Sequence, residues 1–245
     1  MKISFSPPYR FIITQVGCGG TGGYLVPKVA RLLYCLSEYK KHFKIQYLLV
    51  DGDNVEEANL YRQNFIPADI GRNKAEVMAE RYGGHFQVDI QYAPFRLESV
   101  EHLSRLMSVP DSFNTFKILF GCVDNNRARR IMHEYFQQAR NIVYIDAGNG
   151  KYSGQVVVGY RNASGETVLP SVGDLFPEIW EEEEKTPHRN CAINALEAPQ
   201  NIGANDLAAS LVFSILNILL TEEELNTSCL FFEGRKQEYL ARKAG

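Results

Sequence analysis

The chain has 245 residues, 45% hydrophobic and 22% charged, and these values exclude a disordered, collagen-like or coiled-coil chain. Its 26 Lys and Arg against 29 Asp and Glu give a net charge of −3. This argues against a nucleic acid as partner, because such affinity comes mostly from basic residues that neutralise phosphates. The five cysteines include no C-x-x-C pair, which argues against a four-cysteine zinc site.

The first 150 residues alternate strand-like and helix-like apolar patterns, which predicts an α/β fold: a parallel sheet wrapped by helices. We predict strands at 11–16, 44–50, 88–92, 117–123, 142–145 and 155–160, and helices at 22–37, 71–82 and 125–139. Pro27 lies beyond the first turn of its helix, a position where proline can kink a helix.

After about residue 160 the periodicity fades. Residues 161–200 hold four prolines and an acidic run, which predicts one long loop. A helix is predicted at 204–220, and the tail at 228–245 predicts one further strand. The longest nearly apolar run, 207–220, is shorter than the about 20 residues needed to span a bilayer. With no signal peptide pattern at the start, we expect a cytoplasmic protein that does not contact membranes.

A glycine-rich turn joins the first predicted strand to the first predicted helix. Residues 17–22 read Gly-Cys-Gly-Gly-Thr-Gly, and Gly17, Gly19, Gly20 and Gly22 would let the backbone approach phosphate oxygens at the helix N-terminus. This context predicts a bound nucleotide, with NAD and ATP both open. The alternative is a tight structural turn.

Polar side chains follow the second predicted strand. Asp51 stands where an acidic residue accepts hydrogen bonds from a ribose, and Asp53 is an alternative for that role or a cap for the next segment. Four more polar residues follow: Asn59, Arg62, Gln63 and Lys74.

This set suits a reaction at a triphosphate better than hydride transfer. Arg62 can bind phosphate oxygens bidentately and Lys74 can place a compact positive charge on them, while Asn59 and Gln63 would orient the acceptor or the sugar. The alternative is an exposed polar loop.

Asp124 follows a predicted buried strand, at the edge where open parallel sheets bind ligands. One carboxylate with phosphate oxygens and waters suits Mg²⁺, so Asp124 is the predicted magnesium ligand, with helix capping as the alternative. Asn125 could contact the adenosine half, and Asn126 is expected to cap the helix.

Together these motifs resemble the ThiF/MoeB/HesA family of ubiquitin-activating-type adenylyltransferases, over about residues 11–220. The resemblance rests on the glycine loop, D-x-D-x-V-x-x-x-N-L-x-R-Q from Asp51, the following G-x-x-K-A, D-N-x-x-x-R from Asp124, and I-D-A-G-N-G-x-x-x-G-Q at 145–155. It implies a Rossmann-like, doubly wound, mostly parallel mixed sheet with helices on both faces, and a homodimer. The whole chain, 1–245, would be one adenylation domain, with a nucleotide-binding half (1–160), a long crossover loop (161–203) and a C-terminal helix and tail (204–245).

The family's reaction is attack by the C-terminal glycine carboxylate of a ubiquitin-like or sulfur-carrier protein on the α-phosphate of Mg-ATP. The resemblance implies that Gly17, Gly19, Gly20, Gly22 and Asp51 hold the nucleotide, that Asn59, Arg62, Gln63 and Lys74 surround its phosphates, and that Asp124 binds magnesium. The alternatives are a tRNA-modifying ATP-dependent dehydratase of the same family and an inactive nucleotide-binding scaffold.

Cys191 is the candidate acceptor of the activated group. It lies in the predicted loop before the last helix, as the acceptor cysteine does in some members of the family, and His188 or Arg189 could lower the pKa of its thiol. An unreactive loop thiol is the alternative. Cys18, Cys35 and Cys122 are expected to be packing residues.

Overall fold

The computed structural model describes residues 1–3, 9–108, 114–181 and 201–243. Its helices and strands, in chain order, are β1 (Tyr9–Val16), α1 (Gly20–Tyr39), β2 (Phe43–Val50), α2 (Lys74–Phe86), β3 (Ile90–Ala93), α3 (Val100–Leu106), β4 (Asn114–Gly121), α4 (Asn126–Gln138), β5 (Ile142–Asn149), β6 (Ser153–Arg161), β7 (Thr167–Leu169), α5 (Val172–Leu175), α6 (Ile202–Glu222), β8 (Thr227–Glu233) and β9 (Glu238–Lys243). Short 3₁₀ turns occupy Glu57–Asn59, Pro67–Asp69 and Pro177–Trp180.

One nine-stranded sheet runs through the fold in the order β3-β2-β1-β4-β5-β6-β8-β9, with β7 paired to β6. The first five strands in this order are parallel to their neighbours. The pairs from β5 to β9 are antiparallel. The strand order reverses between β1 and β4, and in such open sheets ligands bind outside the carboxyl ends of the strands at this point.

Both faces of the sheet are covered by helices, which confirms the predicted fold class. Successive residues of β1 serve opposite faces: Phe11 packs in the core cluster that includes Leu25 of α1 and Leu216 of α6. Ile12 packs in the cluster that includes Met132 of α4. Because both faces are buried, the central strands read as continuous apolar runs.

The region after residue 161 holds more regular structure than the sequence predicted. The expectation of one loop over 161–200 is wrong in its first part, where β7, α5 and the turn Pro177–Trp180 form. These elements are too short to show a period, and buried Leu169, Val172 and Ile179 anchor them. The predicted single tail strand is a hairpin of two, β8 and β9.

The structure of the first half also differs from the sequence prediction at two places. The seven-residue helix α3 was not predicted, since Leu103 is its single buried residue and gives no periodic pattern. Strand β4 ends at Gly121, so Asp124 lies in the loop between β4 and α4. Pro27 lies inside α1, which continues through it to Tyr39.

Helix α6 is long and apolar, with a mean hydropathy of 1.6 over an 18-residue window, enough by length and composition alone to cross a membrane. A core helix passes the same test. In this fold, Ala208, Ala209, Val212 and Leu216 of α6 are buried, and Val212 and Leu216 pack in the cluster that α1 and the sheet share. This packing explains its composition.

Candidate functional site

A cleft of about 970 Å³ opens where the carboxyl ends of β1, β2, β4 and β5 meet. Nine of the predicted site residues line it: Gly17, Gly19, Gly20, Asp51, Arg62, Gln63, Lys74, Asp124 and Asn125. They come from segments that are far apart in sequence. The fold therefore brings together most of the residues that the sequence singles out.

The glycine loop is shaped by close backbone contacts. Gly17 has a φ of 95°, in the left-handed region that favours glycine, and a Cβ at this position would collide with the carbonyl oxygen of Cys122. A Cβ on Gly22 would collide with the carbonyl oxygen of Gly17. Gly22 therefore closes the loop from behind rather than lining the cleft.

Two buried polar residues, Gln15 and Tyr47, hold this loop through hydrogen bonds. The Gln15 side chain donates from Nε2 to the carbonyl oxygens of Gly17 (2.9 Å) and Gly22 (3.1 Å). The hydroxyl of fully buried Tyr47 donates to Gln15 Oε1 at 2.6 Å. Gln15 and Tyr47 are not part of the sequence motif, yet they hold both ends of the loop.

Asp51 lies directly beneath the loop. Its carboxylate accepts hydrogen bonds from the backbone N–H of Cys18 at 2.7 Å and of Asp53 at 2.9 Å. Burial raises the pKa of Asp51, and these two hydrogen bonds together with the charge of Lys74 oppose that shift. The carboxylate thus ties β2 to the glycine loop and stays at the cleft surface.

Lys74 is fixed at the first residue of α2. The preceding residue, Asn73, caps the helix: its Oδ1 accepts from the N–H groups of Ala75 and Glu76, and its Nδ2 donates to the carbonyl of Asp51 at 2.9 Å. Lys74 is only 8% exposed. Its Nζ lies 3.6 Å from Asp53, whose carboxylate also accepts a hydrogen bond from Arg96 at 2.7 Å. Asp53 therefore contacts the cationic side chains of Lys74 and Arg96 at the mouth of the cleft, and its side chain does not cap the segment that follows.

Arg62 and Gln63 follow the short turn that ends at Asn59. The carbonyl of Asn59 accepts from the N–H groups of Arg62 (3.2 Å) and Gln63 (2.8 Å), and its side-chain oxygen accepts from Glu56 N–H at 3.0 Å. Asn59 is buried and lies outside the residues that line the cleft. In this structure Asn59 shapes the turn that presents Arg62 and Gln63.

A chain of hydrogen bonds joins this turn to three other elements. Asn205 of α6, fully buried, donates from Nδ2 to the carbonyl oxygen of Arg62 at 3.2 Å. Its Oδ1 accepts from Asn149 Nδ2 at 2.8 Å, and Asn149 Oδ1 accepts from the Thr21 hydroxyl at 2.9 Å. The sequence analysis missed Asn205, which belongs to no motif; Asn149 lies within the quoted motif at 145–155 without an assigned role.

The loop after β4 carries Asp124 and Asn125. Asp124 is exposed to the cleft, with its carboxylate available to a cation. Asn125 Oδ1 accepts from Ala128 N–H at 2.8 Å, so Asn125 is the cap of α4. The expectation that Asn126 is the cap is wrong, because Asn126 is the first residue of the helix itself. Its Nδ2 lies 3.4 Å from the carbonyl oxygen of Glu178.

Arg129 holds this loop in place and was also missed. It donates to the carbonyl of Val123 at 2.6 Å and to Asp146 Oδ1 at 3.0 Å. Asp146 is buried and also accepts a hydrogen bond from the Tyr144 hydroxyl at 2.8 Å. The D-N-x-x-x-R and I-D-A-G motifs contain Arg129 and Asp146, but only the fold shows that they form a pair.

Two further kinds of side chain bear on the chemistry of the site, cysteine thiols and possible metal ligands. Burial raises the pKa of the Cys18, Cys122 and Cys229 thiols, which disfavours their nucleophilic thiolates. The candidate acceptor Cys191 lies outside the described residues, as do His188 and Arg189. Within the described part of the chain, no group of three or more His, Cys, Asp or Glu side chains is arranged to hold a metal ion.

A family model described as the ThiF family matches residues 10–244. The chain belongs to the ThiF family. This membership confirms the resemblance that the motifs indicated. Comparison with curated protein sequences found no match.

Several solved ThiF-like structures share this fold. MccB in complex with N-formylated MccA superposes with a TM-score of 0.67 at 17% identity, covering 96% of this chain and 64% of MccB. E. coli MccB with ATP gives a TM-score of 0.63 at 18% identity, covering 95% and 64%. Selenomethionine-labelled PaaA gives 0.64 at 19% identity, also covering 95% and 64%. The chain thus spans less than two thirds of each of these proteins.

Proposed function

We propose that this ThiF-family protein is an ATP-dependent adenylyltransferase. The observation that carries the proposal is the convergence of the glycine loop, Asp51, Arg62, Lys74 and Asp124 on one cleft. A reaction between two anions needs charge neutralisation and positioning more than a proton-transfer base. The cleft offers both in fixed positions.

The residues present fit Mg-ATP. Gly17, Gly19 and Gly20 line the cleft at the N-terminus of α1, where backbone N–H groups favour phosphate oxygens. The exposed carboxylate of Asp124 suits a magnesium ion, which would neutralise phosphate charge when bound. Arg62 and Lys74 would orient the triphosphate, and Asp51 would accept hydrogen bonds from the ribose.

The proposed substrate is the C-terminal glycine carboxylate of a ubiquitin-like or sulfur-carrier protein. Its attack on the α-phosphate of ATP would form an acyl adenylate and release pyrophosphate. Family membership supports this substrate class. MccB, a protein of the same fold, has been solved in complex with N-formylated MccA. Cys191 is the proposed acceptor of the activated acyl group, because its place in the sequence before the last helix resembles that of the acceptor cysteine in some family members. Burial disfavours the thiolates of Cys18, Cys122 and Cys229.

The test is ATP–pyrophosphate exchange with purified protein, magnesium and carrier proteins that end in glycine. Arg62→Ala and Asp124→Ala should each abolish carrier-dependent exchange, since the first removes a positive charge at the triphosphate and the second removes the proposed magnesium ligand. Chelating magnesium should abolish it in the wild type. The matched controls are Arg72→Ala, near the start of α2, and Asp89→Ala, just before β3; both residues are exposed and outside the cleft lining.

Calorimetric titration separates the nucleotides and the remaining alternatives. Mg-ATP should bind, with weaker binding in Lys74→Ala, and NAD should not bind. Normal exchange in Arg62→Ala or Asp124→Ala would refute the site assignment. ATP binding without exchange on any carrier would favour the inactive scaffold, and salt-sensitive tRNA binding would favour the dehydratase.

A further inference from the structure

Gln63 is a buried glutamine whose side-chain oxygen is unsatisfied. Only 8% of the residue is exposed, and it lines the cleft. Within the described residues, its Oε1 is buried and has no hydrogen-bond partner. Buried polar atoms are almost always paired, because an unpaired one loses its hydrogen bonds to water without replacing them. The position of Gln63 in the cleft points to a bound molecule as the source of the missing donor.

The main chain on both sides of Gln63 is fixed by hydrogen bonds. Its N–H donates to the carbonyl of Asn59 at 2.8 Å, and its own carbonyl accepts from the N–H of Phe65 at 2.9 Å. The carbonyl of the preceding residue, Arg62, accepts from Asn205 at 3.2 Å. The fold therefore holds Gln63 in place, and its unpaired oxygen is a fixed feature of the cleft.

The side-chain amide of Gln63 lies against the first turn of α1. A Cβ on Gly19, the residue that precedes this helix, would lie 3.4 Å from Gln63 Nε2 and 3.5 Å from Oε1. Nε2 can donate to phosphate oxygens bound at this end of the helix. Oε1 cannot pair with a phosphate oxygen, because both atoms are acceptors. It requires a donor from another part of the reacting molecules.

Two kinds of donor would lie near the phosphates in the proposed reaction, the ribose hydroxyls and the last N–H of the acyl substrate. The ribose is assigned to Asp51, at the end of β2. The segment that carries Gln63 is joined instead through Asn205 to Asn149, at the end of β5. In the sheet, β2 and β5 lie on opposite sides of β1. The N–H of the acyl substrate is therefore the donor that fits Gln63.

We propose that Gln63 is a specificity-determining residue, whose Oε1 accepts a hydrogen bond from the last N–H of the acyl substrate. This inference rests on the proposed adenylation and deepens it. It defines the substrate class as acids that carry an N–H on the carbon next to the carboxylate, as the end of a peptide chain does. Simple carboxylic acids lack this group and would leave Oε1 unpaired. The hydrogen bond also orients the neighbouring carboxylate for attack.

Two unreactive mimics of the acyl adenylate test this hydrogen bond without a carrier protein. The first is sulfamoyladenosine acylated with N-acetylglycine, which keeps the N–H. The second is acylated with acetoxyacetic acid, which places an ester oxygen at the same position. In calorimetric titrations of the wild type, the first mimic should have a dissociation constant lower by about tenfold or more. The second mimic leaves Oε1 unpaired and opposite another oxygen.

Replacement of Gln63 shows whether this residue causes the preference. Gln63→Met keeps an unbranched side chain of similar length but removes the acceptor, so it should bind the two mimics with equal affinity. Gln63→Glu keeps an acceptor and should keep the preference for the N–H mimic. The ratio of the two dissociation constants is internal to each protein, so a change in nucleotide binding does not affect it. The matched control, Gln138→Met at the exposed last residue of α4, should keep the wild-type ratio.

Circular dichroism checks that each variant folds, and Gln63→Leu repeats the test if the methionine variant does not. Equal binding of both mimics to the wild type would overturn this inference and leave the adenylation proposal standing. A wild-type ratio in the folded apolar variant would also overturn it, because another group would then read the N–H. Failure of Mg-ATP and both mimics to bind the wild type would overturn the adenylation proposal and this inference with it.

Discussion

Asn205 shows how one buried amide can serve a site without belonging to its motif. It contacts the carbonyl of Arg62 on one side and Asn149 on the other, so α6 is tied to the segment that presents Arg62. Its position is also tight, because a Cβ on Gly20 would come within 2.8 Å of Asn205 Oδ1. We interpret Asn205 as a positioning residue for Arg62.

Asn205→Ala should lower the rate of ATP–pyrophosphate exchange at saturating ATP about tenfold, because Arg62 would lose a backbone anchor. It should also reduce the free energy of unfolding by about 1–3 kcal/mol, as expected for a lost buried hydrogen bond. Steady-state exchange kinetics and urea unfolding measure the two effects separately. Asn217→Ala, a half-exposed residue outside the cleft on the same helix, is the control; wild-type exchange kinetics in Asn205→Ala would contradict the positioning role.

His133 links the stability of the fold to pH. It is buried on α4, with Nδ1 2.7 Å from the Ser171 hydroxyl and its ring 5.4 Å from that of Trp180. Burial lowers its pKa below the ordinary value of 6.5, and the charges of Asp174 and Glu134 oppose the shift. As the pH falls below about 6.5, the unfolded chain binds a proton that the folded chain resists, so stability is lost.

The urea midpoint of the wild type should therefore fall between pH 7.5 and pH 5.5, and in His133→Gln it should fall less. Comparing slopes removes the contribution of the carboxylates, which both proteins share. His85→Gln, on an exposed residue of α2, should keep the wild-type slope. An equal fall in wild type and His133→Gln would show that His133 does not control this pH dependence.

At the scale of elements, close backbone contacts constrain the glycine loop between β1 and α1. Two strands and a helix meet there, and Gln15 bridges the carbonyls at both of its ends. A side chain at Gly22 must therefore displace backbone rather than a flexible neighbour. These contacts hold the loop in a fixed conformation, which suits a preorganised phosphate site.

Gly22→Ala should unfold at a lower temperature than the wild type and lose ATP binding, with a cost of a few kcal/mol, within the usual range for overpacking. Gly84→Ala is the matched control, because a Cβ there meets nothing within 4 Å and Gly84 lies inside α2. It should stabilise the protein by about 0.5–1 kcal/mol. Calorimetric melting and ATP titration measure both variants, and tolerance of Gly22→Ala would contradict the close contact.

The short elements after β6 show why periodicity misses some structure. The segment Pro177–Trp180 is held on α4 by Arg130, which donates to the carbonyls of Ile179 (2.5 Å) and Glu181 (2.6 Å). Trp180 Nε1 donates to the carbonyl of Gly173 at 2.9 Å. The two contacts of Arg130 join residues 49 and 51 positions apart in sequence, so no local pattern predicts them.

At the scale of the molecule, the sheet is parallel on one side and antiparallel on the other. The parallel strands on the β1 side are buried on both faces and end in the cleft. The antiparallel strands extend away from it to the exposed edge β9. The arrangement separates the cleft, at the switch between β1 and β4, from the exposed edge of the sheet.

The sequence by itself determined the fold class, the family and nine of the residues that line the cleft. It could do so because strand and helix periods, glycine spacing and the motif from Asp51 to Lys74 are local patterns, and parallel strands bring their carboxyl ends together. The order and spacing of those motifs were enough to predict that these nine residues would lie at one site.

Only the tertiary structure decided the remaining roles. Asn59 shapes a turn, Asn125 caps α4, and Asn205 anchors Arg62, although all three are asparagines that a pattern cannot distinguish. The use of a short polar side chain depends on which donors and acceptors the fold brings within about 3 Å of it. Those partners are set by the packing of distant elements such as α6 against β5, which no local pattern in the sequence records.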